Sequence, residues 1–485
     1  MSFRQILLRT VWLYAVYDFF RRQAGTEYFW DGDVIPKRDT IDFAGLDVIE
    51  KPRFAYRGLR YFAHRGLHRF QAEHWDLEGW QREIDWCVKK RFNLFMLRTG
   101  IDDLFQRAFP GEVPYPPIDA KDPDGVDRSY DDRTSFWALK YRGELRKQVL
   151  QYARDRGLLH PEDTGTITHW YLGANSWQPC ELELPAAVAR YCRTRYAPEL
   201  AVRMEPLWND FLAASQLLHW FDNRGEAQVW FDEPQYRLLA TSAFLNLAPE
   251  RLPRLRADLA RFCTGLTPAP EVLAGLAELA APQGDNPLWR RDALDMARTI
   301  ANRALVAAFL RAALEMESWR AGQANGAALR QRAELTRRLM DTLADVLALS
   351  DDFSMHASLL RLERAPPLNQ VAPTINPHSE RTLKSNAENS YCRSQHYELV
   401  RHVYRPELDA FWEWVLGKIE SGDKSPWKRP AEFSSRAKQI ADKFYETPLA
   451  EMASKPPRES AALAAALTRL EGSVKELLDG AATSH

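Results

Sequence analysis

Apolar positions along this chain change their rhythm once. Up to about residue 183, short continuous apolar runs alternate with helical stripes; beyond it, only helical stripes occur. Residues 3–23 carry an amphipathic helical pattern that stops at Gly25, a residue suited to end a helix. EYFWDGDVIPK then reads as a strand or hairpin edge with an Asp-Gly turn. FAYRGLRYF (54–62) predicts a strand, WDLEGWQREIDWCVKKR (75–91) a helix, and FNLFMLRTG (92–100) a strand buried on both faces. A polar, Pro- and Asp-rich stretch at 110–133 reads as a long loop. A helix follows at 136–157, closed by Gly157. LLH (158–160) opens a further strand, and TITHWYLGANSW (166–177) is another.

Strands alternating with helices predict a parallel sheet, as a (β/α) barrel or an open sheet. From Leu184 the pattern predicts helix after helix, including 286–350 and YELVRHVYRPELDAFWEWVLGKI, with no fixed short repeat. The expected organisation has four parts. Residues 1–50 are a remnant of an N-terminal α/β domain, and 51–183 form a shortened barrel-like domain. Residues 184–454 form an α-helical domain, and 455–485 a peripheral helix or tail.

Composition narrows the function classes. Lys and Arg number 65 against 66 Asp and Glu, so no basic surface for nucleic acid or anionic membrane is implied. The five cysteines, Cys87, Cys180, Cys192, Cys263 and Cys392, have no metal-ligand spacing, and reduced thiols are expected. The apolar run at the start is interrupted by Asp18 and followed by Arg21-Arg22, which does not fit a signal peptide. A cytoplasmic location is the default, or a secreted or periplasmic one if residues precede this start. Sixteen Trp is a high content, and Trp serves both as a platform for sugar rings and as core.

One stretch adds a specific direction. Residues 52–109, with Trp80, Glu83, Ile84, Asp85 and Trp86, then Asn93-Leu94 and Gln106-Arg107, resemble the first part of the barrel in family-89 glycoside hydrolases, the α-N-acetylglucosaminidases. LPAAVARYCRTRYA resembles the helix after that barrel. DALDMARTIANRALVAAFLRAALE, DTLADVLALSDDFSMHASLL and NAENSYCR resemble its helical C-terminal domain. Barrels of the α-glucuronidase type begin with a similar Tyr-Arg-Gly strand. The resemblance implies a retaining glycosidase with two carboxyl groups, one protonated and one ionised. In that family these are glutamates at later strand ends, one of them in an Asn-Glu pair. No Asn-Glu dipeptide occurs between Pro52 and Glu183, and this span is about half of the roughly 250 residues of a full barrel. The family's catalytic residues therefore have no counterparts to carry over.

The candidates come instead from position. Glu162-Asp163 follows a strand, where barrel active sites gather, although Asp163 and Pro161 also suit a plain turn. A second carboxylate is expected from Asp102, Asp103 or Glu181, with Asp102-Asp103 equally suited to cap a helix. His169, Trp170, Tyr171, Asn175 and Trp177 combine ring faces with hydrogen-bonding groups, as a pyranose requires, or else pack as core. Arg57, Arg60, His64 and Arg98 supply donors for a substrate, with His68 and His74 nearby. No metal or cofactor is expected. On the helices, Trp80, Glu83, Asp85 and Trp86 are expected to pack and pair. Asn386, Glu388, Asn389 and Arg393 either face the cleft or bond between helices.

The combined expectation is an α/β plus all-α protein, a shortened (β/α) barrel followed by a helical C-terminal domain, acting on a carbohydrate or glycan. It is either a glycoside hydrolase or a glycan-binding remnant, with an oligomer or partner subunit completing the barrel, and without nucleic-acid or membrane partners. A third reading is an incomplete stretch of a longer gene product.

Overall fold

The computed structural model describes residues 12–44, 46–54, 57–59, 75–95, 139–156, 184–215, 217, 238–239, 249–357, 360, 380, 384, 396–454 and 460–482. These residues are mostly helical, with two small two-stranded sheets among them. They divide into two compact units, Met1–Glu205 with Ser358–Ala387, and Pro206–Ala357 with Glu388–His485.

In the first unit, helix α1 (residues 12–19) runs into a π-helical turn, Phe20–Ala24, that Gly25 ends at φ 72°. Strands β1 (Glu27–Phe29) and β2 (Gly32–Val34) pair antiparallel across the two-residue loop Trp30-Asp31, which places the hairpin where the Asp-Gly signal predicts it. Strand β3 (Gly58–Leu59), helix α2 (Leu77–Lys89) and strand β4 (Leu94–Phe95) then form a βαβ unit. Its strands pair in parallel, Gly58 with Leu94 and Leu59 with Phe95. Helix α2 starts where the Asp76 carboxylate accepts from the Gly79 N–H at 2.8 Å, a side-chain N-cap. It ends in a Schellman turn, with Phe92 N–H on Cys87 O and Arg91 N–H on Val88 O, both 2.9 Å. The left-handed position is held by Arg91 (φ 62°) rather than glycine. Its guanidinium meets Asp18 at 3.3 Å and Glu50 at 3.0 Å, contacts that offset part of that residue's backbone cost.

Helices α3 (Leu139–Asp155) and α4 (Leu184–Arg195) also belong to this unit, and α5 (Pro198–Ser215) contains the division between the two. Tyr14, Trp80, Ile84, Cys87, Phe92 and Phe95 share one core with Leu145, Val149 and Ala153 of α3. Trp80 meets Phe95 edge-on at 5.6 Å, while Asp85 accepts from Tyr152 Oη and pairs with Arg156. The motif that carries the resemblance is thus a packing and pairing motif at this helix.

The first fifty residues are not a separate body. Tyr14 Oη donates to Phe92 O at 2.6 Å, Trp30 Nε1 donates to Glu83, and Lys90 Nζ pairs with Glu27 at 2.6 Å. Nor does the helical domain begin at residue 184. The α4 face made by Tyr191, Cys192 and Arg195 is buried, and Arg195 forks onto Asp31 at 2.8 and 2.6 Å with both side chains sealed from solvent. On their exposed side, α1 and the π-helical turn after it show the apolar residues Trp12, Val16 and Phe20.

In the second unit, helices α6 (Leu252–Leu266), α7 (Ala269–Gln283), α8 (Pro287–Arg320) and α9 (Ala327–Leu347) are followed by α10 (Arg405–Ser421), α11 (Glu432–Glu446) and α12 (Ser460–Ala482). Asn286 caps α8 through Leu288 N–H and Trp289 N–H, and Pro287 occupies its first turn. The closing stretch, expected as a peripheral helix or tail, is the helix α12, and it is packed into the unit rather than peripheral. Leu463, Leu467, Leu470, Val474 and Leu477 recur at three-to-four spacing and are all fully buried, with α12 packed on α7 and α9. Arg311 of α8 donates to Leu477 O at 2.7 Å. Much of the Trp content is core: Trp80, Trp86, Trp208, Trp289, Trp319, Trp412 and Trp427 are buried, whereas Trp12 is exposed. Cys87, Cys192 and Cys263 are free thiols. Among the described residues no helix is long and apolar enough to cross a membrane.

Two outcomes follow from this packing. Asp31→Ala leaves the Arg195 charge buried without its fork and should lower stability by about 3–5 kcal/mol. The double variant Asp31→Leu with Arg195→Met should recover much of that loss, measured by denaturant unfolding. Leu470→Ala should cost about 2–5 kcal/mol, as a core leucine does. A change below about 0.5 kcal/mol, typical of a surface site, would show that α12 is peripheral after all.

Candidate functional site

In parallel βα folds, ligands gather beyond the carboxyl ends of the strands. The in-register pairing of β3 and β4 sets Leu59 and Phe95 side by side, so both strands end at one edge. Arg60 and His64 follow β3 in sequence, and Arg98, Asp102 and Asp103 follow β4. These residues lie outside the described residues, as do His68, His74, Glu162, Asp163, His169, Trp170, Tyr171, Asn175, Trp177 and Glu181.

Arg57 is the member of the candidate set that the structure describes, and it sits at the opposite, amino end of β3. Only 6% of it is exposed. Its Nε donates to Arg91 O at 3.0 Å and its Nη1 to Phe54 O at 2.7 Å. Its backbone N–H donates to Asn93 Oδ1 at 2.7 Å, while Asn93 N–H returns to Arg57 O at 2.8 Å. Burial lowers the pKa of its guanidinium, with Tyr14 opposing. This arginine joins the start of β3 to the end of α2 and sets the register of the parallel pair.

The helical unit holds a buried polar seam that its apolar periodicity does not announce. Glu398 is fully buried and accepts from Ser354 Oγ at 2.7 Å, Met355 N–H at 3.1 Å and His356 N–H at 3.3 Å. It therefore caps the helical turn at residues 355–357 from a distant part of the chain. Burial raises its pKa, and the Ser354 and backbone donors oppose the rise.

His396 lies two residues before it and is 1% exposed. Burial pushes its imidazole down to about 3, against the Phe353 backbone and with help from the Arg298 charge. Arg298 stands over the Phe353 ring and pairs with Asp295 at 3.6 Å, and Arg291 reaches Asp352 at 3.3 Å. Arg291, Asp295, Arg298 and Asn302 follow one another at spacings of four, three and four along α8. That polar stripe in an Ala- and Leu-rich helix is the sequence signal that would have located the seam. Asn386, Glu388, Asn389 and Arg393 lie outside the described residues.

Chemically the seam is a network of hydrogen bonds and ion pairs around an imidazole kept neutral. Among the described residues no cluster of His, Cys, Asp or Glu could hold a metal ion. Compared with known protein families and with curated proteins, the sequence matches none.

The seam has a pH signature. A histidine held below its ordinary value leaves the unfolded chain to take the proton first. Its contribution is intact above about pH 6.5 and is lost progressively as pH falls toward 3. From pH 7 to 4 this amounts to a loss on the order of 3 kcal/mol. His396→Leu should flatten that fall relative to the wild type, read from thermal midpoints across the same range. Parallel pH profiles for the two proteins would contradict the assignment.

Proposed function

We propose that this chain is a carbohydrate-active protein related to the α-N-acetylglucosaminidases, hydrolysing a terminal glycosidic bond with two carboxyl groups at the end of a shortened (β/α) barrel. The observation that supports this reading most is the parallel β3–α2–β4 unit, whose helix carries Trp80, Glu83, Asp85 and Trp86. A helical unit later in the chain, in the order that the resemblance implies, adds to it. In this reading Glu162 or Asp163 protonates the leaving oxygen, and Asp102 or Glu181 acts as the ionised partner. Arg60, His64 and Arg98 donate to the sugar, and His169, Trp170, Tyr171, Asn175 and Trp177 supply ring faces and hydrogen bonds. Arg57 contributes indirectly, by holding β3 against β4.

A second reading keeps the cleft without the chemistry, as a glycan-binding remnant. The brevity of the Pro52–Glu183 span and its lack of an Asn-Glu pair favour it. A panel of aryl glycosides including the α-N-acetylglucosaminide separates the two. The enzymatic reading expects turnover that Glu162→Gln or Asp163→Asn lowers by about 100-fold or more. Glycan-dependent thermal stabilisation without turnover supports the binding reading. If neither turnover nor stabilisation occurs with any sugar tested, both are wrong.

A further inference from the structure

A cavity of about 460 Å³ opens in the helical unit between α9, α10 and α11. It is lined by the charged residues Asp341, Arg401, Arg405, Asp409 and Arg436, with Pro406 and Ile440 as apolar members. This volume falls within the range of small-molecule sites.

The backbone at its edge is unusual. Residues Val400–Tyr404 form a π-helical turn, closed by Arg405 N–H on Val400 O, immediately before α10. Pro406 has no N–H to continue an α-helical ladder back to His402, which accounts for the widened turn. Arg401 from this turn and Arg405 from the helix meet the same oxygen, Asp341 Oδ1, at 2.7 and 3.0 Å. Arg405 also pairs with Asp409, which Arg337 holds from α9 at 2.9 Å. From α11, Arg436 Nη2 donates to Glu413 at 2.6 Å.

These pairs hold the guanidiniums in place without exhausting them. Each arginine has five N–H donors. Arg401 and Arg436 each give one to a carboxylate and are about half exposed, at 46% and 47% of the side chain. Three arginines against two aspartates leave the lining with one net positive charge. The unused face of Asp341 adds acceptor capacity beside the donors.

We propose that this cavity binds a small hydroxylated anion, a sugar-sized molecule bearing a carboxylate or phosphate. Arg401 and Arg436 take the charged group, and Asp341 accepts from a hydroxyl. Arginine forks suit both kinds of oxyanion, and the carboxylates in the wall discriminate against a bare anion. All of its lining residues belong to the helical unit, and the proposal does not depend on the glycosidase reading.

Titration calorimetry on the full chain with glucuronate, glucose 6-phosphate, inorganic phosphate and glucose tests it. Glucuronate, glucose 6-phosphate or both should bind, the pair reporting which oxyanion fits. Glucose should not bind, and inorganic phosphate should bind more weakly. Arg401→Gln and Arg436→Gln should each weaken binding about tenfold. Glu413→Gln frees Arg436 and should tighten binding, an outcome that misfolding cannot imitate. Saturable binding by neither sugar anion, equal binding by glucose or inorganic phosphate, or unchanged affinity in both arginine variants would overturn the proposal.

Discussion

The first unit depends on one buried ion pair. Arg195, at the end of α4, reaches back 164 residues to fork onto Asp31 at the tip of the β1–β2 hairpin, and neither side chain meets solvent. Removing two charges from water is costly, and the attraction between them repays this only with good geometry and further partners. The guanidinium finds such support over the Phe29 ring, at 4.9 Å. A pair of this kind is better suited to selecting one arrangement than to adding stability, because a misplaced hairpin would strand a buried charge. With the hairpin held, Trp30 reaches Glu83 and Glu27 reaches Lys90, so the middle and the C-terminal end of α2 are tied to the opening of the chain. Burial lowers the pKa of Lys90, and Glu27 is the partner that opposes it.

That anchoring sets up the parallel strands. Helix α2 must turn sharply to deliver β4 beside β3. It does so through a left-handed Arg91, whose carbonyl receives Arg57 and whose guanidinium is claimed by Asp18 and Glu50. The charged residues around this turn therefore have mainly architectural work. The donors free for a substrate would have to come from residues beyond the strand ends.

The helical unit manages its polar groups differently. There a carboxylate, Glu398, substitutes for the missing partners of a helix start, and a neighbouring histidine is kept neutral by its surroundings. The charged pairs near α10 are more exposed and leave donors unspent, which makes that surface a better place for a ligand than the sealed seam.

Legibility followed the range of the forces involved. Local signals are written in neighbouring residues, so the Gly25 stop, the Asp-Gly hairpin, α2 and the long helices of the second unit were readable from the sequence. The buried stripe of Leu463, Leu467, Leu470 and Leu477 was also present in the sequence, but which face meets a partner is not a local property. The same holds for Arg57, read as a substrate donor and found bound to backbone carbonyls, and for the polar stripe of α8. The sequence by itself determined where helices and turns form, because propensity, capping and periodicity act over a few residues. Tertiary structure alone decided which charges are buried in pairs and which remain available. Desolvation depends on everything packed around a group, and most of that comes from elsewhere in the chain.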